Sequence, residues 1–576
     1  MFRNRMRGSR GRIGRLLRAV VAVATVGAVV LPATVAQAAP GYIPISGAGS
    51  TWSANALRQW GANVKQFNMT VNYSASGSTD GRTQFANGTV DFGVSEIQYG
   101  LYDSNFGRAA DQPPAREFAY MPIVAGGTAF MYNLNIGGRR VTNLRLSGEN
   151  VAKIFTGVIK FWNDPAIKAD NPSLTLPARR IVPVVRADGS GTSAQFTLWL
   201  SKQYPEIWND YCAKNGKRTP CGLTSYFPYK TSEGFVAKNG SENVSGYVRQ
   251  PQGEGAITYV EYSYPKKAGF PVAKVLNKSG YYIEPTARNV AVALTFADIE
   301  TANKDRSVYL TQKLDGVYAS PDKRAYPLSS YSYMILPTKE EYGLNKDRGR
   351  TLAAFGYYLL CEGQQQADSL GYSPLPKNLV EAGLEQVEKI PGVEVQPNKI
   401  KSCNNPTFSN DGTNTLAKNT PNPPECDRKG ATVQCDTGTG GAPQKTPQNN
   451  GGSNGGNQPG GSNGQPGTPG GPSGGPSAGP SSGGPSAGPG GGPSAGSGNG
   501  AVDPITGDPI SDDPGNGAGG GEYVAGVPVS LEAEGGWRLS HTLMLLAGLL
   551  LAGLVMGPPL LARSLRQRGG EPWSGS

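Results

Sequence analysis

Residues 181–193 read Ile-Val-Pro-Val-Val-Arg-Ala-Asp-Gly-Ser-Gly-Thr-Ser, and Ala194 to Ser201 continue them in a helix-forming stretch. An apolar strand therefore runs into a Gly/Ser turn that opens a helix, with an arginine at the strand's end. Free amides at a helix start gather negative charge. A guanidinium adds a full charge and forked donors suited to a tetrahedral oxyanion. Asp188, two residues after Arg186, can hold that fork in one orientation.

The same device stands twice upstream. Gly47-Ala48-Gly49-Ser50-Thr51-Trp52 precedes a helix whose apolar positions Trp52, Ala56, Trp60, Val64 and Phe67 recur at three and four residues. Ser76-Gly77-Ser78-Thr79-Asp80-Gly81 opens a short helix ending near Gly88. Asp80 is unwelcome beside an anion and is expected to cap that helix instead. Alone, each turn reads as an ordinary helix cap; three of them with one arginine read as an oxyanion site.

A fourth element, Val90-Asp91-Phe92-Gly93-Val94-Ser95-Glu96, is a strand-like alternation ending in a carboxylate where α/β folds place ligands. Glu96 is a solvated strand end, a partner of Arg186, or an acceptor for a ligand that carries a proton. Phosphate keeps a proton at neutral pH and sulfate does not, so a buried carboxylate would select the first and repel the second.

The chain's one histidine is His541, in a C-terminal apolar run, which removes Ser-His-Asp and Cys-His catalysis and His-containing zinc sites. No Walker motif is present. The expectation is a binding protein rather than an enzyme, with no catalytic residues, no metal and no cofactor.

Around these motifs the chain divides by composition. Seven arginines between Arg3 and Arg18, the apolar run Ala19 to Leu31 and the site Ala36-Gln37-Ala38 form a secretory signal peptide, residues 1–38. Its removal leaves 47 of the 54 basic residues against 43 acidic ones, so the net charge of +11 gives no reason to expect nucleic acid as a partner. Residues 39–400 alternate apolar segments with Gly/Ser/Asn turns and amphipathic stretches, as α/β domains do. Residues 401–436 form an irregular tail holding three cysteines.

Residues 437–536 are a disordered Gly/Pro/Ser linker, of which Thr437 to Gly521 carry almost no large apolar residue. As a flexible coil such a stalk spans roughly 50 Å. The apolar run Leu543 to Leu561, preceded by Trp537 and followed by Arg563, Arg566 and Arg568, implies a transmembrane helix at 537–562 and a cytoplasmic tail at 563–576. The body is thereby placed on the outer face of a cell membrane. The six cysteines of this exported chain favour disulfides. Cys212/Cys221 and Cys426/Cys435 are local candidates and leave Cys361/Cys403, although six cysteines admit fifteen connectivities.

The stretches Gly-Ala-Gly-Ser-Thr-Trp, Val-Asp-Phe-Gly-Val-Ser-Glu and Arg-Ala-Asp-Gly-Ser-Gly-Thr-Ser resemble the signatures of the phosphate-binding subunit of ABC phosphate importers. Phe161-Trp162-Asn163-Asp164 and Gly255-Ala256-Ile257-Thr258-Tyr259-Val260-Glu261-Tyr262 resemble further segments of that family in the same order. The resemblance covers roughly residues 41–390. It implies a two-lobed type II periplasmic-binding-protein fold, with one lobe from about 41–130 plus 272–400 and the other from about 131–271.

By position, Ser50, Thr51 and Trp52 match the family's first ligand loop, Ser78 its second, and Arg186, Ser190, Gly191 and Thr192 its third. Three residues depart from the pattern: Glu96 stands where the family usually has Asp, Trp52 where it has Phe, and Asp80 where glycine is common. The implied function is capture of inorganic phosphate for an ABC permease. The rival reading keeps the lobes and the stalk but uses them for sensing, adhesion or another oxyanion.

Overall fold

The computed structural model describes residues 41–442 other than 104, 105, 110 and 410. The expected signal peptide, the linker beyond residue 442, the span at 537–562 and the tail at 563–576 lie outside the described residues. Among the described residues no helix is long and apolar enough to cross a membrane.

The chain builds one α/β pattern twice. In the first lobe, β1 (Ile45–Gly49) leads to α1 (Ala54–Asn63), β2 (Val71–Ser74), α2 (Ser78–Ala86) and β3 (Phe92–Ser95), and then to the long strand β4 (Phe118–Tyr132). In the second, β5 (Val182–Arg186) leads to α3 (Gly191–Gln203), β6 (Val236–Lys238), α4 (Gly240–Arg249) and β7 (Ala256–Glu261). Strand β8 (Val272–Leu276) and strand β9 (Ser329–Pro337) complete the framework.

Strand order is β6-β5-β7-β4-β9-β3-β1-β2, with β8 also against β4. Parallel trios β2-β1-β3 and β6-β5-β7 are each flanked by an antiparallel strand, β9 and β4 respectively. Parallel strands covered on both faces read as continuous apolar runs. That is why Phe92 to Ser95 are all buried rather than alternating, as the sequence pattern had implied.

Strand β4 joins the lobes. Of its first ten residues all but Ile123 pair with β9, and its last five pair with β7. All fifteen are buried. Pro122 has no amide to donate, and the ladder slips by one residue between Ser332 and Tyr333 opposite it. Gly49, at the C-terminal end of β1, has φ +138°, and a Cβ there would lie 2.2 Å from the Val94 carbonyl oxygen. Only glycine fits, and it brings the chain into the cleft just before Ser50.

Helix α1 buries Ala56, Leu57 and Trp60, and the Trp60 indole donates to Gly363 O at 2.8 Å. The expected apolar face does not reach Phe67. After Asn63 the chain tightens into a 3-10 turn, Val64–Phe67, and three residues per turn swing Phe67 out to 49% exposure. Asp80 does not cap α2: Gly77 takes that place and Asp80 is exposed in the first turn.

The three disulfides are Cys212–Cys221, Cys361–Cys403 and Cys426–Cys435, the pairing expected. The last two staple a tail that wraps the body. Arg324 donates to the carbonyls of Ala417 and Thr420 in the first lobe. Lys274 pairs with Asp427, and Arg145 donates to Cys426 O. Gln434 then donates to Asn143 O and Asn171 Oδ1 in the second lobe. Residues 437–442, read as the start of the linker, also lie against the body. Thr439 N donates to Thr142 O at 3.0 Å, its hydroxyl donates to Val272 O at 2.5 Å, and Gly440 N donates to Glu284 at 2.8 Å.

Candidate functional site

Each parallel trio ends at the same cleft, so the strand ends supply its walls. From the first lobe come Ser50 and Thr51 after β1, Ser78 at the start of α2, and Glu96 after β3. From the second come Arg186 at the end of β5 and Ser241 in the first turn of α4. The Ser190–Thr192 turn opens α3 between them.

Arg186 is held from behind. Its Nε donates to Asp188 Oδ1 at 2.7 Å and its Nη2 to Asp188 Oδ2, while Gly240 N donates to the same carboxylate at 2.9 Å. Burial pushes the Asp188 carboxyl up, but the guanidinium and the Gly240 amide outweigh it and hold the group below the usual range. Arg186 N donates to the Tyr259 hydroxyl at 3.3 Å, and that hydroxyl bonds Ser193 Oγ at 2.7 Å. Burial pushes the Tyr259 hydroxyl up to about 12. Its ring packs on Phe196 at 4.8 Å, so the core of the second lobe fixes the arginine's strand. The guanidinium is 2% exposed, with Nη1 reaching Ser241 Oγ at 3.4 Å.

Glu96 is neither a solvated strand end nor a partner of Arg186. It is 1% exposed and accepts from three hydroxyls: Ser50, Ser78 at 2.6 Å and Ser332 at 2.7 Å. Ser78 Oγ in turn accepts from Gly191 N at 3.1 Å, so the carboxylate is linked through Ser78 to the start of α3. A Cβ on Gly191 would lie 2.0 Å from Glu96 Oε2. The glycine is what allows this approach.

The other predicted residues take different parts. Thr51 Oγ1 meets Ser241 Oγ at 2.8 Å and accepts from Ser241 N at 3.2 Å, a contact between lobes. Trp52 brings its amide, which donates to Ser50 Oγ at 3.0 Å, while its indole packs edge-on against Tyr372 at 5.8 Å. Ser190 caps α3 through Ser193 N. Thr192 Oγ1 is buried and has no hydrogen-bond partner among the described residues. A cavity of about 360 Å³, lined in part by Thr51, Arg58, Ser76, Asp188, Gly240 and Ser241, opens beside them.

Two contributors escaped the sequence reading. Ser241 stands in a strand–Gly-Ser–helix junction of the kind recognised three times elsewhere, so its signal was present. Ser332 lies inside a buried strand at the ladder slip and has no local signal.

The described residues contain no group of three or more His, Cys, Asp or Glu able to hold a metal ion. The model of the PBP superfamily domain matches residues 34–362, more than half of the chain. The phosphate-binding protein PstS of Xylella fastidiosa (strain Temecula1) is 32% identical over 342 residues, which are 59% of this chain and 83% of that protein. The chain belongs to the periplasmic phosphate-binding protein family.

This is a family of solute-binding proteins, not of enzymes. The Haemophilus influenzae phosphate-binding protein PstS is 31% identical over 337 residues, 58% of this chain and 90% of that one. Among solved structures, the phosphate-binding protein from Stenotrophomonas maltophilia aligns over 63% of this chain and 98% of its own length, with 18% identity and a TM-score of 0.44.

Proposed function

We propose that the chain binds inorganic phosphate between its two lobes and delivers it, unchanged, to a membrane ABC permease. The observation that carries this reading is Arg186, buried, braced by Asp188 and set opposite the Thr51, Ser78 and Glu96 wall. A buried guanidinium whose orientation is fixed in advance costs little further ordering when an oxyanion arrives. The Thr192 hydroxyl, buried and without a hydrogen-bond partner among the described residues, supplies an uncharged donor at the start of α3.

Glu96 accepts a hydrogen bond from the ligand's protonated oxygen, which admits phosphate and turns away sulfate. The relatives named as phosphate-binding proteins support the choice of ligand. Closure brings the lobe of about residues 41–130 and 272–400 onto that of about 131–271, with β4 and the β8 connection as the hinge. Residues 1–38 direct export, and the segment from 443 to 576 tethers the body to the outer face of the membrane.

Calorimetric titration of the full chain with phosphate, and separately with sulfate, tests the proposal. Saturable binding of phosphate alone is expected. Binding of neither anion, or a preference for sulfate, refutes it.

A further inference from the structure

We infer that, on the phosphate reading above, Gln195 is a positioning residue that locks the lobes together around the ligand, gripping the main chain of Glu96 from the opposite lobe.

Helix α3 faces two ways. Its first turn carries the Ser190–Thr192 loop at the cleft, and one side of its remaining length lies against the first lobe. Residues three, four and seven apart share a side of a helix. On that side Gln195 is followed by Leu198, Trp199 and Lys202. Ala194 and Leu198 gather with Leu223 and with Ile97 and Leu101 of the first lobe in a small apolar cluster of their own. Gln195 and Trp199 line the same seam as Leu314, Tyr318 and Leu328. At the exposed rim Lys202 pairs with Asp315 at 3.0 Å.

Gln195 is the polar member in the middle of this seam. It is 7% exposed, and its Nε2 donates to the Glu96 carbonyl oxygen at 2.7 Å. That oxygen also accepts from Gln312 Nε2 at 3.1 Å. Gln312 is itself clamped to β9, donating to Tyr331 O at 2.9 Å and accepting from Tyr331 N at 3.0 Å. One carbonyl is therefore held from both lobes: Gln312 fixes it within the first, and Gln195 ties it to the helix that opens the ligand loop of the second. The residue so held is the one whose carboxylate, bonded to Ser50, Ser78 and Ser332, faces the ligand on the phosphate reading. Gln195 Oε1 is buried with no hydrogen-bond partner among the described residues, so the Glu96 bond alone offsets the cost of burying this amide. Parting of the lobes breaks the bond. It therefore acts after the anion has been captured, and slows release rather than speeding entry.

Stopped-flow measurement of inorganic phosphate binding to the full chain, followed by tryptophan fluorescence, tests this with Gln195→Met, which keeps the length and loses the donor. Expected is about fivefold faster dissociation, the worth of one neutral hydrogen bond, with association within about twofold of wild type. Lys202→Ala, on the exposed rim of the same seam, should change dissociation by less than about twofold. Dissociation from Gln195→Met no faster than from wild type overturns the inference and leaves the phosphate reading standing, and so does an equal acceleration in Lys202→Ala. A merely structural part would lower the urea midpoint of Gln195→Met without moving its dissociation rate, which overturns the inference as well. Absence of phosphate binding in wild type refutes the phosphate reading and this inference with it. Should Gln195→Met fail to fold, Gln195→Ala removes the same donor and carries the same expectation; an unchanged dissociation rate there overturns the inference.

Discussion

Replacing Glu261 by Gln should flatten the pH dependence of stability on the side above the ordinary carboxyl range. Glu261 ends β7 opposite Thr128, where β4 passes between the lobes. It is fully buried, its Oε2 accepts from Ser263 N at 2.6 Å, and its Oε1 has no hydrogen-bond partner among the described residues. Burial drives its carboxyl well above the usual value, against the smaller opposing pull of the Ser263 donors. The folded protein therefore keeps this proton at a pH where the unfolded chain, with an ordinary value of about 4.3, has lost it.

One more proton bound in the folded state means that stability falls as pH rises, by about 1.4 kcal/mol per pH unit between the unfolded and folded values. Below about 4.3 both states carry the proton and Glu261 contributes no slope. Glutamine keeps the shape and cannot ionise. It adds an offset that does not vary with pH, so the comparison rests on slopes. Urea unfolding of the full chain at half-unit steps from pH 5 upward, followed by tryptophan fluorescence, should show the wild-type free energy falling relative to Glu261→Gln as pH rises, by up to about 1.4 kcal/mol per unit. Parallel curves would mean that the carboxyl is solvated or ionised in the folded state, and the reasoning would be refuted.

Three further outcomes follow from the cleft and the tail. Arg186→Ala should weaken phosphate binding at least a hundredfold, about 2.7 kcal/mol, because a charge-assisted pair is lost in a buried site; unchanged affinity by calorimetry, with circular dichroism intact, would remove Arg186 from the site. Glu96→Gln should let sulfate compete with phosphate, since an amide can donate where a carboxylate only accepts; selectivity that survives the change would show that discrimination lies elsewhere. Replacing Cys361 and Cys403 by Ser should cost about 2–5 kcal/mol of stability, read as a lower urea midpoint, with phosphate affinity unchanged.

The parts of the site that lay on strand-to-helix turns were legible because glycine, serine and a change of hydrophobic period mark such turns locally. Ser50, Ser78 and Gly191 were found that way and do converge on Glu96. Contacts made by residues distant in sequence left no such mark. Ser332 reaches Glu96 from a strand 236 positions later, at a ladder slip that only the paired backbone reveals. The tail reads as irregular because its order comes from the surface it lies on, through carbonyls that any sequence would offer, as where Arg324 and Arg145 take the oxygens of Ala417, Thr420 and Cys426.

Thr439 and Gly440 are laced to Thr142, Val272 and Glu284 beside the connection between the lobes rather than to either lobe's outer rim. On the proposed reading, in which the lobes close about β4 and the β8 connection, a pull arriving at Ala442 reaches the pivot of a pair of doors and exerts little leverage on the opening angle.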